Sequence, residues 1–194
     1  MRGGGEAATI SRVFGTKVIG IDMESNFSAE AAQEVELQVA DATKMPFSDS
    51  SFDFVYSYHA LEHIPNFRKA LQEIKRVLSS GGHWMIGVPN QSRLLGYIGS
   101  KGATLTQKMI WNYTDWKMKF MGRFTNENGA HAGFAIEQLS KELSNNLGRP
   151  VDISLEYYKT IYPNHTRKLT VVSFTGCSRF LFPSIYYYGS VNGV

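Results

Sequence analysis

Residues 17–24 read KVIGIDME, residues 35–47 VELQVADATKMPF, residues 52–64 FDFVYSYHALEHI and residues 84–90 WMIGVPN. Each holds a short, largely apolar run, so residues 18–21, 35–39, 52–58 and 84–88 are expected as strands. Runs that stay apolar along their length suit a parallel sheet buried on both faces. The first run stops at Asp22, the second at Asp41, the third at His59 and the fourth at Asn90. Open α/β sheets bind ligands just beyond the carboxyl ends of their strands, so these are the first residues to consider for chemistry.

The words VIGID, VADATKMPFSDSSFDFVYSYHALEHI and LSSGGHWMIGVPN, in this order and spacing, resemble the class I S-adenosylmethionine-dependent methyltransferases, specifically the broad type 11 group. The likeness is good over the first half of the chain and loose beyond it. It implies an α/β fold with a Rossmann-like sheet, mostly parallel with helices on both faces. It implies one domain over residues 1–194 and S-adenosylmethionine as cofactor. In that family a first strand precedes a glycine loop and lies in the middle of the sheet. Here only Met1 and Arg2 precede Gly3, so the fold is expected to be truncated at its amino end. Two facing strands would then carry unsatisfied backbone groups, each costing about 1–3 kcal/mol. The total stability of a domain is only about 5–15 kcal/mol.

The resemblance places Gly3 and Gly5 in the glycine loop. It sets Asp22 against the ribose diol, with Met23 over the adenine face. It sets Asp41 against the adenine amino group, beside the backbone amide of Ala42, and His59 next to the sulfonium. Plainer readings exist for each: a flexible terminus, a helix cap for Asp22 and a turn-forming role for Asp41. Glu62 and His63 shape the methyl-transfer region in the resembled family. Distant methyltransferases ligate a metal there with the help of a further histidine pair. The sequence offers no convincing pair, so no metal is expected. His131 is a candidate general base toward the acceptor, or a histidine that caps and packs. The candidate catalytic residues are therefore His131 and His63.

Bulk properties bound the rest. The chain has 194 residues, 43% of them hydrophobic, the makeup of one ordinary globular domain. Residues 1–100 carry 9 basic and 11 acidic side chains, and residues 101–194 carry 11 and 6. The basic residues are scattered among acids, unlike the stripe of a nucleic-acid binder, so no nucleic-acid partner is expected. Cys177 is the single cysteine, which excludes an internal disulfide and is expected to be buried. Residues 1–16 lack the apolar core of a leader, and no apolar run reaches the ~20 residues of a membrane span. A cytoplasmic location is expected.

Along the chain, residues 6–14 are expected as a helix stopped by Gly15. Residues 66–78 make an amphipathic helix with Phe67, Ala70, Leu71, Ile74, Val77 and Leu78 on its apolar side, stopped by Gly81 and Gly82. Residues 91–130 contain no clean strand and correspond to the insertion that builds the acceptor pocket in the resembled family. Trp111, Tyr113 and Trp116 are spaced to share a helical face, as core or pocket wall. A helix follows over residues 136–145, a strand over 151–157, a helix or lid over 166–175, and a last strand over 180–188. Pro183 inside that strand marks an edge or a bulge.

The function expected is transfer of a methyl group from S-adenosylmethionine to a small-molecule or glycan-type acceptor. The alternative is a remnant that keeps the fold without activity. A Rossmann oxidoreductase is disfavoured, because no G-x-G-x-x-G follows a strand.

Overall fold

The computed structural model describes residues 4–97, 100, 102–127 and 131–191. Gly3, and the expectations attached to residues 1–3, lie outside them. The chain divides into two compact units, Met1–Ser48 and Asp49–Val194.

In the first unit, helix α1 (Gly5–Phe14) precedes strand β1 (Ile19–Asp22), helix α2 (Ala29–Glu34) and strand β2 (Glu36–Val39). α1 stops at Gly15, whose N–H donates to the Ser11 carbonyl. β1 and β2 pair in parallel, with Ile19 opposite Glu36 and Asp22 opposite Val39. Ala8, Ala31 and Val35 are buried together, with Val18 and Leu37 packed against them. The Ser28 hydroxyl accepts from the Ala31 N–H at 3.1 Å and so caps α2, an interaction worth about 1 kcal/mol.

The second unit opens with strand β3 (Phe52–Tyr58), a tight turn (Leu61–His63), helix α3 (Phe67–Val77) and strand β4 (Leu78–Pro89). Helices α4 (Leu105–Phe120) and α5 (Ile136–Leu147) follow, then strand β5 (Val151–Asp152) and helix α6 (Ser154–Ile161). A short turn (Pro163–His165), helices α7 (Thr166–Phe174) and α8 (Ser178–Leu181), and strand β6 (Ser184–Ser190) complete it. The sheet order is β3-β4-β6-β5. β3 and β4 are parallel, while β6 runs antiparallel to both its neighbours. The strands of the two units form separate two- and four-stranded sheets.

The expected amphipathic pattern holds the second unit together. α3 buries Ala70, Leu71, Ile74 and Val77, and α5 buries Leu139, Leu143 and Leu147. Trp84 on β4 is wholly buried, and its indole N–H donates to the Leu147 carbonyl at 3.2 Å. The hydrogen bond satisfies the one polar atom this large side chain takes into the core.

Several boundaries differ from expectation for local reasons. Gly81 and Gly82 do not stop α3: the helix ends at Val77 and β4 starts at once. The glycines instead lie where the β3–β4 register slips, between the pairs Phe52–Leu78 and Phe54–His83. The strand expected over 151–157 is only Val151–Asp152, because the Asp152 carboxylate accepts from the Ser154 N–H at 2.8 Å and turns the chain into α6. Residues 180–188 begin in α8, and Pro183 precedes β6 rather than interrupting it. β6 is also an inner strand, between β4 and β5, not an edge. Of the two readings for 166–175, the helix is observed. Cys177 is exposed, not buried.

α4 inverts the usual pattern. It buries Asn112 and Asp115 and leaves Tyr113 66% and Phe120 95% exposed. Trp111 and Trp116 are also exposed, so the aromatic stripe is not core. What α4 turns inward is polar because its partner is an arginine, as described next.

Candidate functional site

Parallel pairing of β1 and β2 sets the donor-side candidates at the carboxyl ends of both strands. Asp22 is the last residue of β1 and is exposed. Its carboxylate accepts from the Glu24 N–H at 3.1 Å through one oxygen, Oδ1. Met23 beside it is 68% exposed. Asp41, just past β2, accepts from the Thr43 N–H at 2.7 Å, with Ala42 inside the same turn. Gly5 is the first residue of α1, and a Cβ there would meet nothing within 4 Å. The glycine that the geometry requires is Gly4, at φ 84, where a Cβ would approach Leu37 Cδ1 to 2.7 Å. It begins α1 in a left-handed conformation that glycine adopts without strain.

The second unit holds a histidine cluster. The His59 N–H donates to the Gly87 carbonyl at 2.8 Å, extending the β3–β4 ladder by one residue. His59 then turns to φ 49, uncommon for a residue with a Cβ. Its ring is fixed on two sides. Nε2 meets the Ser184 hydroxyl at 3.2 Å, and the Tyr58 ring packs edge-on at 4.4 Å. Ser184 is itself held at its backbone, where its N–H donates to the Tyr158 hydroxyl at 2.9 Å and its carbonyl accepts from that hydroxyl at 3.2 Å. Burial pushes the Tyr158 and Tyr186 phenols well above the usual tyrosine range, so both stay protonated donors.

The turn Leu61–His63 follows, anchored by buried Leu61. It aims the Glu62 carboxylate inward, its side chain 1% exposed. Glu62 Oε1 lies 3.6 Å from His59 Nδ1 and 3.8 Å from His63 Nε2. These are ion-pair distances, beyond hydrogen bonding. The His63 and His131 rings meet edge to face, centroids 4.7 Å apart. Burial, and then the neighbouring His63, lower the His131 pKa below its ordinary value and favour neutral imidazole. So His59, His63 and His131 come together around Glu62, although His63 and His131 lie 68 positions apart in the chain. The sequence showed no histidine pair because this one is made by the chain's return after α4.

Arg93 makes that return. It is 5% exposed, and Nη1 donates to the carbonyls of Asn90, His131 and Ala132 at 3.2–3.3 Å. Nη2 donates to Asp115 at 2.9 Å. Asp115 also accepts from the Tyr97 hydroxyl at 3.2 Å, and Lys119 donates to the Arg93 carbonyl. Burial lowers the Lys119 pKa, with the Arg93 charge adding to it. Neither Arg93 nor Ser184 stood out in the sequence. A usable signal was Lys108, Asn112, Asp115 and Lys119, polar residues recurring three and four apart along one face of α4.

Residues 2–86 match the family model described as a methyltransferase domain. The chain is similar to a sterol 4-C-methyltransferase of Caenorhabditis elegans, 37% identical over 83 residues, 38% of this chain and 25% of that protein. It is likewise similar to a chloroplastic tocopherol O-methyltransferase of Arabidopsis thaliana, 36% identical over 92 residues, 43% of this chain and 26% of that protein. Over these residues, less than half of the chain, it is similar to methyltransferases. It spans about a quarter of the length of these curated relatives. Among solved structures, the cyclase SpnF superposes with a TM-score of 0.51 at 16% identity, covering 94% of this chain and 67% of that one. That likeness carries the fold alone, and a cyclase on a methyltransferase-like fold underlines that fold does not decide chemistry. Asp22, Asp41, His59, Glu62 and His63 fall within the residues matched to the methyltransferase family, whereas Arg93, His131 and Ser184 lie beyond them.

Proposed function

We propose that the chain binds S-adenosylmethionine and transfers its methyl group to a small-molecule or glycan-type acceptor. The observation that carries this reading is the family match over residues 2–86, with Asp22 and Asp41 standing at the carboxyl ends of parallel β1 and β2. Relatives named for sterol and tocopherol methylation support a small-molecule acceptor. Asp22 accepts from the ribose hydroxyls, Met23 covers the adenine, and Asp41 with the Ala42 amide reads its edge. Gly5, at the head of α1, leaves room for the ligand. The methyl carbon leaves a sulfonium by in-line displacement, so the donor is already activated and the protein mainly aligns the reactants. An acceptor hydroxyl or ammonium must also lose a proton. His131 and His63 are the groups assigned to take it, with His59 holding the cluster's geometry.

The alternative reading is a methyltransferase fold without turnover. Calorimetry with S-adenosylhomocysteine separates the two. Binding is expected, weakened about tenfold to thirtyfold by Asp22→Ala, the loss of one or two charge-assisted hydrogen bonds. A folded chain that gives no heat with the ligand sinks the methyltransferase reading.

A further inference from the structure

The histidine cluster contains a group that neither fold stability nor proton transfer accounts for. Glu62 is a carboxylate whose side chain is 1% exposed, and among the described residues neither of its oxygens has a hydrogen-bond donor. An ionised carboxylate in such a place is strongly unfavourable unless a cation or donors compensate it. We propose that Glu62, His63 and His131 form a binding site for a divalent transition-metal ion of the zinc class. One ligand atom from each residue lies within 4.8 Å of the other two. Two imidazole nitrogens and one carboxylate oxygen are a donor set that zinc and its neighbours favour, leaving a position for water or substrate.

The spacing needs modest closure. Ligand atoms around a tetrahedral zinc, at about 2.0–2.2 Å from the metal, are about 3.4 Å apart. His63 and His131 are both exposed and can make the difference of ~1 Å by side-chain rotation. Glu62 is fixed in the turn and serves as the anchor. His59 is a positioning residue: Ser184 holds Nε2, which turns Nδ1 to the Glu62 carboxylate. The nearby Arg93 guanidinium does not stand as a free positive charge, since Asp115 pairs with it at 2.9 Å. Metal binding here does not depend on methyl transfer. If both occur, the cation lowers the pKa of an acceptor hydroxyl, and the two imidazoles act as ligands rather than as bases.

The test is metal binding itself, read three ways on the whole chain: Zn2+ calorimetry, the visible bands of Co2+, and thermal unfolding with and without Zn2+. One Zn2+ per chain is expected, with Co2+ bands of low-symmetry coordination and a melting temperature that rises with Zn2+ concentration. His131→Asn keeps a residue that tolerates a left-handed backbone and is expected to weaken Zn2+ binding at least about tenfold. Glu62→Gln keeps the size of the side chain but removes the carboxylate ligand, and is expected to abolish the zinc-dependent rise in melting temperature. Exposed Cys177 is a competing soft ligand, so Cys177→Ser must leave the Zn2+ affinity unchanged, as must His83→Asn. The proposal is overturned if Co2+ gives no bands, or if affinity survives His131→Asn. It is equally overturned if Cys177→Ser removes the binding. Because His131 is exposed, its variant decides the matter even should Glu62→Gln not fold.

Discussion

Arg93→Met is expected to lower the unfolding free energy by about 3–5 kcal/mol, measured by urea denaturation with linear extrapolation. The reason is the burial of both partners: Arg93 is 5% and Asp115 7% exposed. Removing the guanidinium strands a buried carboxylate to which, among the described residues, the Tyr97 hydroxyl at 3.2 Å still donates. The same change frees the Asn90, His131 and Ala132 carbonyls from their shared donor. A buried pair is weak support compared with a well-packed apolar pair, but half of one is worse than none. The double variant Arg93→Met with Asp115→Leu should therefore recover at least half of the loss. A double variant no better than the sum of the singles would show that the three carbonyls, not the ion pair, make Arg93 essential. Because Arg93 holds the His131 backbone, Arg93→Met should also weaken Zn2+ binding, whereas Asp115→Leu in the double variant does not restore it.

How far the sequence disclosed this arrangement depends on the range of each interaction. β1 to β4 and α3 were legible because their signals are local: apolar runs, an amphipathic repeat and a polar residue at each strand tip. α1 and its Gly15 stop were legible for the same reason. The ends of the second unit were not. Asp152 terminates β5 through one hydrogen bond to the Ser154 N–H, and an aspartate after a valine carries no unique signal of that. α4 was hidden because its inward face is Asn112 and Asp115, so a hydrophobic periodicity search sees nothing there. The candidate site divided along the same line. Asp22, Asp41, His59 and His63 follow strands and could be picked out one by one. The convergence of Glu62 with His131 required knowing that Arg93, Asn126 and Gly133 fold residues 131–134 back along the end of β4. The Asn126–Gly133 clamp is local, but the Arg93 contacts join residues 38 and 39 positions apart, and no short window on the chain contains them.

Gly133→Ala is expected to cost about 3 kcal/mol or more and to displace His131 from the cluster. Gly133 sits at φ 75, and a Cβ there would lie 1.8 Å from the Pro89 carbonyl oxygen and 2.4 Å from its carbon. These are backbone atoms of β4, so no side-chain rotation relieves the clash. The close approach is itself used: the Phe134 N–H donates to the same Pro89 carbonyl at 3.1 Å, and Asn90 and Phe134 form a bridge. Asn126 clamps the position from the other side, with its amide donating to the Gly133 carbonyl at 3.0 Å and its side-chain oxygen accepting from the Gly133 N–H at 2.8 Å. An alanine must break one of these contacts to fit. Gly122→Ala gives the control, since it too has positive φ, 66°, but nothing within 4 Å of a Cβ. It should lose only about 1 kcal/mol, the conformational part. If the two variants unfold at the same urea concentration, the approach of residue 133 to β4 contributes nothing beyond backbone preference. If they separate as expected, and Gly133→Ala also loses the Co2+ bands while retaining its fold, then this glycine places His131 opposite Glu62.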